Sequence, residues 1–211
     1  MFKYAVDPKL LLLIERLSKV AEVRSRFYLA GGTGLALQFG HRRSDDLDFF
    51  SATPFDVERI ARTVIELDGR ILAQEEGTIH CIIDGVKVSF LFYPYPVLYP
   101  FQSVEGFGMA SVGDIACMKA IAISQRGEKK DFFDMVEILR RHEPRQIKEM
   151  FMKKYGSRRV NCYHILKSLF YFADAEDSPD PVSLNNSTWP SVKDFLLKRE
   201  KDLMRELCLT S

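Results

Sequence analysis

Asp46 and Asp48 are separated only by Leu47, and Phe49 follows them. On an extended strand, residues two apart share a face, so both carboxylates project together while Leu47 and Phe49 turn toward a core. Like charges held that close repel, and a cation between them relieves the repulsion. Mg2+ is commonly bound by one or two carboxylates together with substrate phosphates. Upstream stands Gly31-Gly32-Thr33, preceded by the apolar, strand-compatible Tyr28-Leu29-Ala30. The helical pattern Leu35-Ala36-Leu37-Gln38-Phe39 follows, opened by Thr33 and closed by Gly40 as C-cap. A strand, a glycine turn and a helix start form a phosphate-binding arrangement, because free N–H groups and the helix dipole both favour an anion there. His41, Arg42, Arg43 and Ser44 add donors between the two parts. Arg42 reads either as a phosphate ligand or as the partner of an aspartate. Asp45 points to the opposite face and stands outside the site.

The chemistry this spacing suits is nucleotidyl transfer: an NTP held at Gly31, Gly32 and Thr33, and Mg2+ at Asp46 and Asp48. Two other glycine motifs fail. Gly32-Thr33-Gly34 begins a dinucleotide-binding fingerprint, but Leu37 occupies its third glycine position, and no Gly-Lys-Ser/Thr follows as a Walker A loop requires.

At these residues the chain resembles the polymerase-beta-like nucleotidyltransferases, and within them the AbiEii/AbiGii-type toxin family. The likeness rests on Gly31-Gly32-Thr33, on His41-Arg42 with Ser44, Asp46 and Asp48, and on a distal block of Arg126, Lys130-Asp131 and Asp134. The resemblance implies that Lys130 offers a point charge to the triphosphate and that Asp131 helps hold the metal or acts as a base. Lys119, Arg126 and Lys129 are expected to face the same cleft. It further implies a toxin of a toxin–antitoxin or phage-defence pair, with a cognate antitoxin protein and with RNA such as tRNA, or a protein, as acceptor. The family usually adds a third carboxylate from a neighbouring strand. The corresponding place here is Val88-Ser89-Phe90, where Ser89 replaces the acid. Asp84, five residues away in a turn, is a poor substitute. This departure leaves a second reading open, a catalytically reduced nucleotide-binding module that works through a partner protein. A third is a small-molecule modifier of the aminoglycoside-nucleotidyltransferase sort, which shares the glycine and Asp-x-Asp elements.

The elements that must position these residues follow from patterning. Asp7 and Pro8 cap a first helix with apolar positions from Leu11 through Ala21, and Thr53-Pro54 caps another whose apolar face includes Ile60, Ala61 and Val64. A strand over 70–74 precedes a hairpin of 78–83 and 86–92, joined by Asp84-Gly85, a pair preferred by type I′ turns. The stretch 94–108 reads as irregular, with a short strand over 107–110. From Ser111 the texture becomes helical: a run from Ser111 broken by Gly127, then 130–141, then Pro144 to Tyr155, then a buried apolar helix over 160–173, and a charged amphipathic helix over 191–209. The expected class is α+β, with a nucleotidyltransferase-like small, largely antiparallel mixed sheet and flanking helices over 1–110 and a C-terminal helical bundle over 111–211.

The 211 residues carry 30 Lys and Arg against 29 Asp and Glu, so the formal charge of +1 gives no global sign of nucleic acid, although a local basic patch is compatible with it. No apolar run approaches the roughly 20 residues of a membrane span, and the N-terminus lacks a signal-peptide pattern, so a cytoplasmic location is expected. Cys81, Cys117, Cys162 and Cys208 are scattered singly, which reads as buried thiols rather than a zinc site or disulfide framework.

Overall fold

Two alternating apolar runs joined by Asp84-Gly85 give the sheet its most regular part. In the computed structural model, which describes residues 1–156 and 161–207, both turn residues lie at positive φ, 52° for Asp84 and 75° for Gly85. That is the type I′ geometry whose twist matches the flanking strands. The residues fall into two compact units, Met1–Ser111 and Val112–Ser211.

In the first unit, α1 (Pro8–Ser18) begins at the expected Asp7 cap, whose side chain accepts from the Lys9 N–H, and α2 (Ala21–Arg26) follows. The single helix expected from Leu11 through Ala21 is therefore broken at Lys19-Val20. β1 (Tyr28–Leu29) leads into α3 (Gly31–Phe39), and β2 (Asp46–Ser51) returns antiparallel beside β1. α4 (Val57–Glu66) is capped by Asp56, whose carboxylate accepts from the Arg59 N–H, and not by Thr53-Pro54. Then come β3 (Arg70–Glu75), β4 (Thr78–Ile83), β5 (Val86–Phe92), β6 (Gln102–Val104) and β7 (Phe107–Met109). These seven strands form one mixed sheet in the order β3-β4-β5-β2-β1-β7-β6. The β2–β5 and β1–β7 pairs are parallel and the others antiparallel.

Alternation assigns the two faces of β2. Leu47 and Phe49 are fully buried, and Phe49 stacks on Phe90 with ring centroids 5.6 Å apart. The same core takes Leu10, Leu13, Ile14 and Leu17 of α1 and Ile60, Ala61 and Val64 of α4. Removing a ring such as Phe49 from such a core typically costs about 3–5 kcal/mol. Asp46, Asp48 and Phe50 occupy the other, partly open face.

The second unit is helical: α5 (Val112–Gln125), α6 (Lys129–Arg141), α7 (Pro144–Tyr155), α8 (Cys162–Ser168) and α9 (Trp189–Leu207). The α+β class holds. The long buried helix expected over 160–173 does not form as one element: α8 ends at Ser168, a short 3-10 turn occupies Ala173–Ala175, and Tyr163 and Tyr171 are exposed. Asn161 caps α8 by accepting from the His164 N–H. Val160, and Cys208 and Leu209 at the end of the expected final helix, lie outside the described residues. Cys81 and Cys117 are buried free thiols, each pushed by burial up to about 12.

Candidate nucleotide site

The glycine segment starts the helix rather than preceding it: α3 begins at Gly31, and Ala30 is its N-cap residue. Gly31 lies at φ 63°, a left-handed conformation that an L side chain adopts only at a cost. The space is closed as well, since a Cβ on Gly31 would sit 2.5 Å from Asp48 Oδ2. A Cβ on Gly32 would collide with the Arg42 guanidinium. The two glycines thus let the first turn of α3 lie directly against the Asp48 carboxylate and the Arg42 fork. Gly40 ends the helix in the αL conformation, as its sequence position suggests.

Hydrogen bonds lock this helix start to β2. The Ala30 N–H donates to the Asp48 carbonyl over 3.0 Å. The Thr33 hydroxyl donates to the Asp46 carbonyl and is hydrogen-bonded to Ser44 Oγ at 2.9 Å. Arg42 Nη1 donates to the Arg43 carbonyl over 2.9 Å, and the Ser44 N–H reaches the Ala5 carbonyl. Thr33, Arg42 and Ser44 are all buried. In this structure their side chains fix the backbone between Gly31 and Asp48, a supporting frame of the kind that holds a binding site within narrow tolerances.

Asp46 and Asp48 do share one face, as their spacing requires. Their donors are hard carboxylate oxygens, the ligand type that suits Mg2+. Among the described residues no group of three or more His, Cys, Asp or Glu side chains converges on one point. The carboxylate pair therefore fits the Mg2+ mode in which substrate phosphates and water complete the shell.

The register identifies what stands beside the pair. Ser89 on β5 is the register partner of Asp48. On its other side Ser89 pairs with His80 of β4, and His80 Nδ1 lies 3.1 Å from Ser89 Oγ. His80 belongs to no motif in the sequence. A signal for it existed: a two-residue turn at Asp84-Gly85 sets Ile83 opposite Val86 and hence His80 opposite Ser89. Asp84 itself is bound by Arg16, with Nη1 2.9 and 3.0 Å from its two oxygens.

The distal block lies in the second unit. Asp131 is fully buried on α6, with Lys119 Nζ 2.8 Å from one oxygen and Arg126 Nε 3.2 Å from the other. Lys119 also reaches Asp134 at 2.6 Å. Burial would raise the Asp131 pKa, but the charges of Lys119 and Arg126 and the Lys119 hydrogen bond outweigh it and hold the carboxyl below its usual range. A carboxylate held low with both oxygens engaged is suited to anchoring ions, and is poorly matched to taking a proton near neutrality. Lys119, expected at a cleft surface, is instead buried between two aspartates. Lys129 pairs with Asp180 at 3.0 Å, and Lys130 is partly exposed and pairs with Glu128 at 2.9 Å.

Residues 13–204 match the family model described as nucleotidyl transferase AbiEii toxin, Type IV TA system. The chain is 39% identical over 199 residues to the uncharacterized protein aq_aa25 of Aquifex aeolicus (strain VF5), across 90% of this chain and 95% of that one. In fold it is similar to MenT4, a nucleotidyltransferase toxin from Mycobacterium tuberculosis H37Rv, with a TM-score of 0.62 at 17% identity over 93% of this chain and 83% of that one. A putative nucleotidyltransferase from H. pylori has a TM-score of 0.50 at 16% identity, covering 92% of this chain and 95% of that one. The chain belongs to the AbiEii family of nucleotidyltransferase toxins.

Proposed function

We propose that this protein transfers a nucleotidyl group from an NTP to an acceptor hydroxyl with Mg2+, and that the acceptor is RNA such as tRNA. The observation that carries the reading is the contact between the first turn of α3 and the aspartate strand: Gly31 has no room for a side chain because the Asp48 carboxylate lies against it. Backbone N–H groups at that helix start suit phosphate oxygens, and Asp46 and Asp48 would hold Mg2+. The ion, when bound, neutralises charge on the phosphates. Gly31 and Gly32 admit the phosphates closely, and Thr33, Ser44 and Arg42 keep the turn in place. Lys130 enters the proposal from the resemblance of Lys130-Asp131 to the family motif, as a cation for the triphosphate, next to an Asp131 held by Lys119 and Arg126. The choice of RNA as acceptor and a cognate antitoxin protein that restrains the toxin rest on the same resemblance. No helix among the described residues is long and apolar enough to cross a membrane.

Transfer of label from each α-labelled NTP to bulk tRNA in the presence of Mg2+ tests the reading. Label in the RNA with pyrophosphate release, both lost in Asp46→Asn/Asp48→Asn, is the expected result. The resemblance puts Ser89 where the family's third acid stands, which favours a second reading, a nucleotide-binding module that acts through a partner protein. Binding of NTP without turnover on tRNA, on protein or on an aminoglycoside would select it.

A further inference from the structure

Asp48, Ser89 and His80 lie side by side on three adjacent strands, in register across β2, β5 and β4. His80 is exposed and its Nδ1 is 3.1 Å from Ser89 Oγ. Resting on the nucleotidyl-transfer reading, we infer that His80, oriented by Ser89, is the proton acceptor for the incoming hydroxyl and replaces the absent third carboxylate. The contact admits either donor; in the inferred state Nδ1–H donates to Ser89 Oγ and Nε2 is left bare to take a proton. In the transfer step the proton of the acceptor hydroxyl moves to Nε2. The acceptor oxygen bonds to the α-phosphorus, the bond from that phosphorus to the α,β-bridging oxygen breaks, and the electron pair leaves with pyrophosphate. The imidazolium then returns its proton to solvent.

The charged groups that share this face in the strands around His80 are Arg70 and Glu75 on β3, Lys87 on β5, and Asp46 and Asp48 on β2. α3, against β2, carries no titratable side chain. Two positive and three negative side chains thus share the sheet face on which His80 stands. An imidazole changes charge between about pH 5 and 8, which suits a base working near neutrality.

Nitrogen NMR of the full chain with labelled histidine reads the tautomer without any substrate. Above the titration, His80 is expected to carry its proton on Nδ1, and Ser89→Ala is expected to change that state. A proton on Nε2 in the wild type would overturn the inference. With labelled ATP and bulk tRNA, His80→Gln is expected to lower kcat about 100-fold or more with KM little changed, and to remove the acid limb of the pH–rate profile. Adding Ser89→Asp to His80→Gln is expected to restore turnover and shift the pH limb toward acid. An unchanged kcat in His80→Gln would reject His80 alone. Loss of Mg-ATP binding by the wild type, read by calorimetry, would instead reject the nucleotide reading beneath it.

Discussion

At the scale of single residues, Gly31 and Asp131 carry the sharpest consequences. Gly31→Ala places an L residue at φ 63° and a methyl group 2.5 Å from Asp48 Oδ2. The left-handed backbone alone costs about 1–2 kcal/mol. The expected result is a lower midpoint in thermal unfolding together with weakened Mg-NTP binding, because the Asp48 carboxylate must move. Asp131 bears on acid stability. Its folded pKa lies below the unfolded carboxyl value, which is about 3.9. Its ionisation therefore favours the folded state above that value, and the contribution fades as pH falls through the lower folded pKa. Unfolding midpoints of the wild type are expected to drop steeply on acidification, and those of Asp131→Asn less so over the same range. Lys119→Met leaves two aspartates without their shared cation, and breaking such a buried pair typically costs about 3–5 kcal/mol. Thermal melts at neutral pH check that figure.

At the scale of elements, the hairpin of β4 and β5 sets the neighbours of Asp48. Gly85 lies at φ 75° in a two-residue turn, where a β-branched side chain is strongly disfavoured. Gly85→Val is expected to destabilise the protein by about 1–2 kcal/mol and to disturb the His80–Ser89 contact, which histidine NMR would register. A melt and spectrum equal to the wild type would show that the turn does not set the register. This hairpin was legible in the sequence because Asp-Gly between alternating runs is a local signal. The next one was not. β6 and β7 join through Glu105-Gly106, also at positive φ, but glutamate at the first turn position hides a geometry that Asn or Asp would announce. The buried helix expected over 160–173 failed for a related reason: apolar content alone does not fix periodicity, and Tyr163 and Tyr171 point to solvent. The aspartate strand was readable because alternation there is strict. The glycine segment was readable as chemistry yet misplaced by two residues, since α3 starts at Gly31 and not at Thr33. His80 could be assigned to the site only by counting across the turn, because nothing in its own neighbourhood along the chain distinguishes it.

At the scale of the whole molecule, balanced charge leaves function to local geometry. With 30 basic and 29 acidic side chains, the proposed recognition of RNA would depend on where cations are placed rather than on net attraction. The first unit brings Gly31, Gly32, Asp46, Asp48, Ser89 and His80 to one region of a seven-stranded sheet. The helical second unit buries its own ionic networks, Lys119 with Asp131 and Asp134, and Lys154 with Asp114 at 2.7 Å. The measurement that bears most directly on the nucleotide site is calorimetric titration of the wild type and of Asp46→Asn/Asp48→Asn with each NTP in Mg2+. Saturable binding by the wild type that depends on Mg2+ and disappears in the double variant is the expected result. Absence of binding by the wild type, or equal binding by both proteins, would contradict a nucleotide held by the first turn of α3 together with the two aspartates.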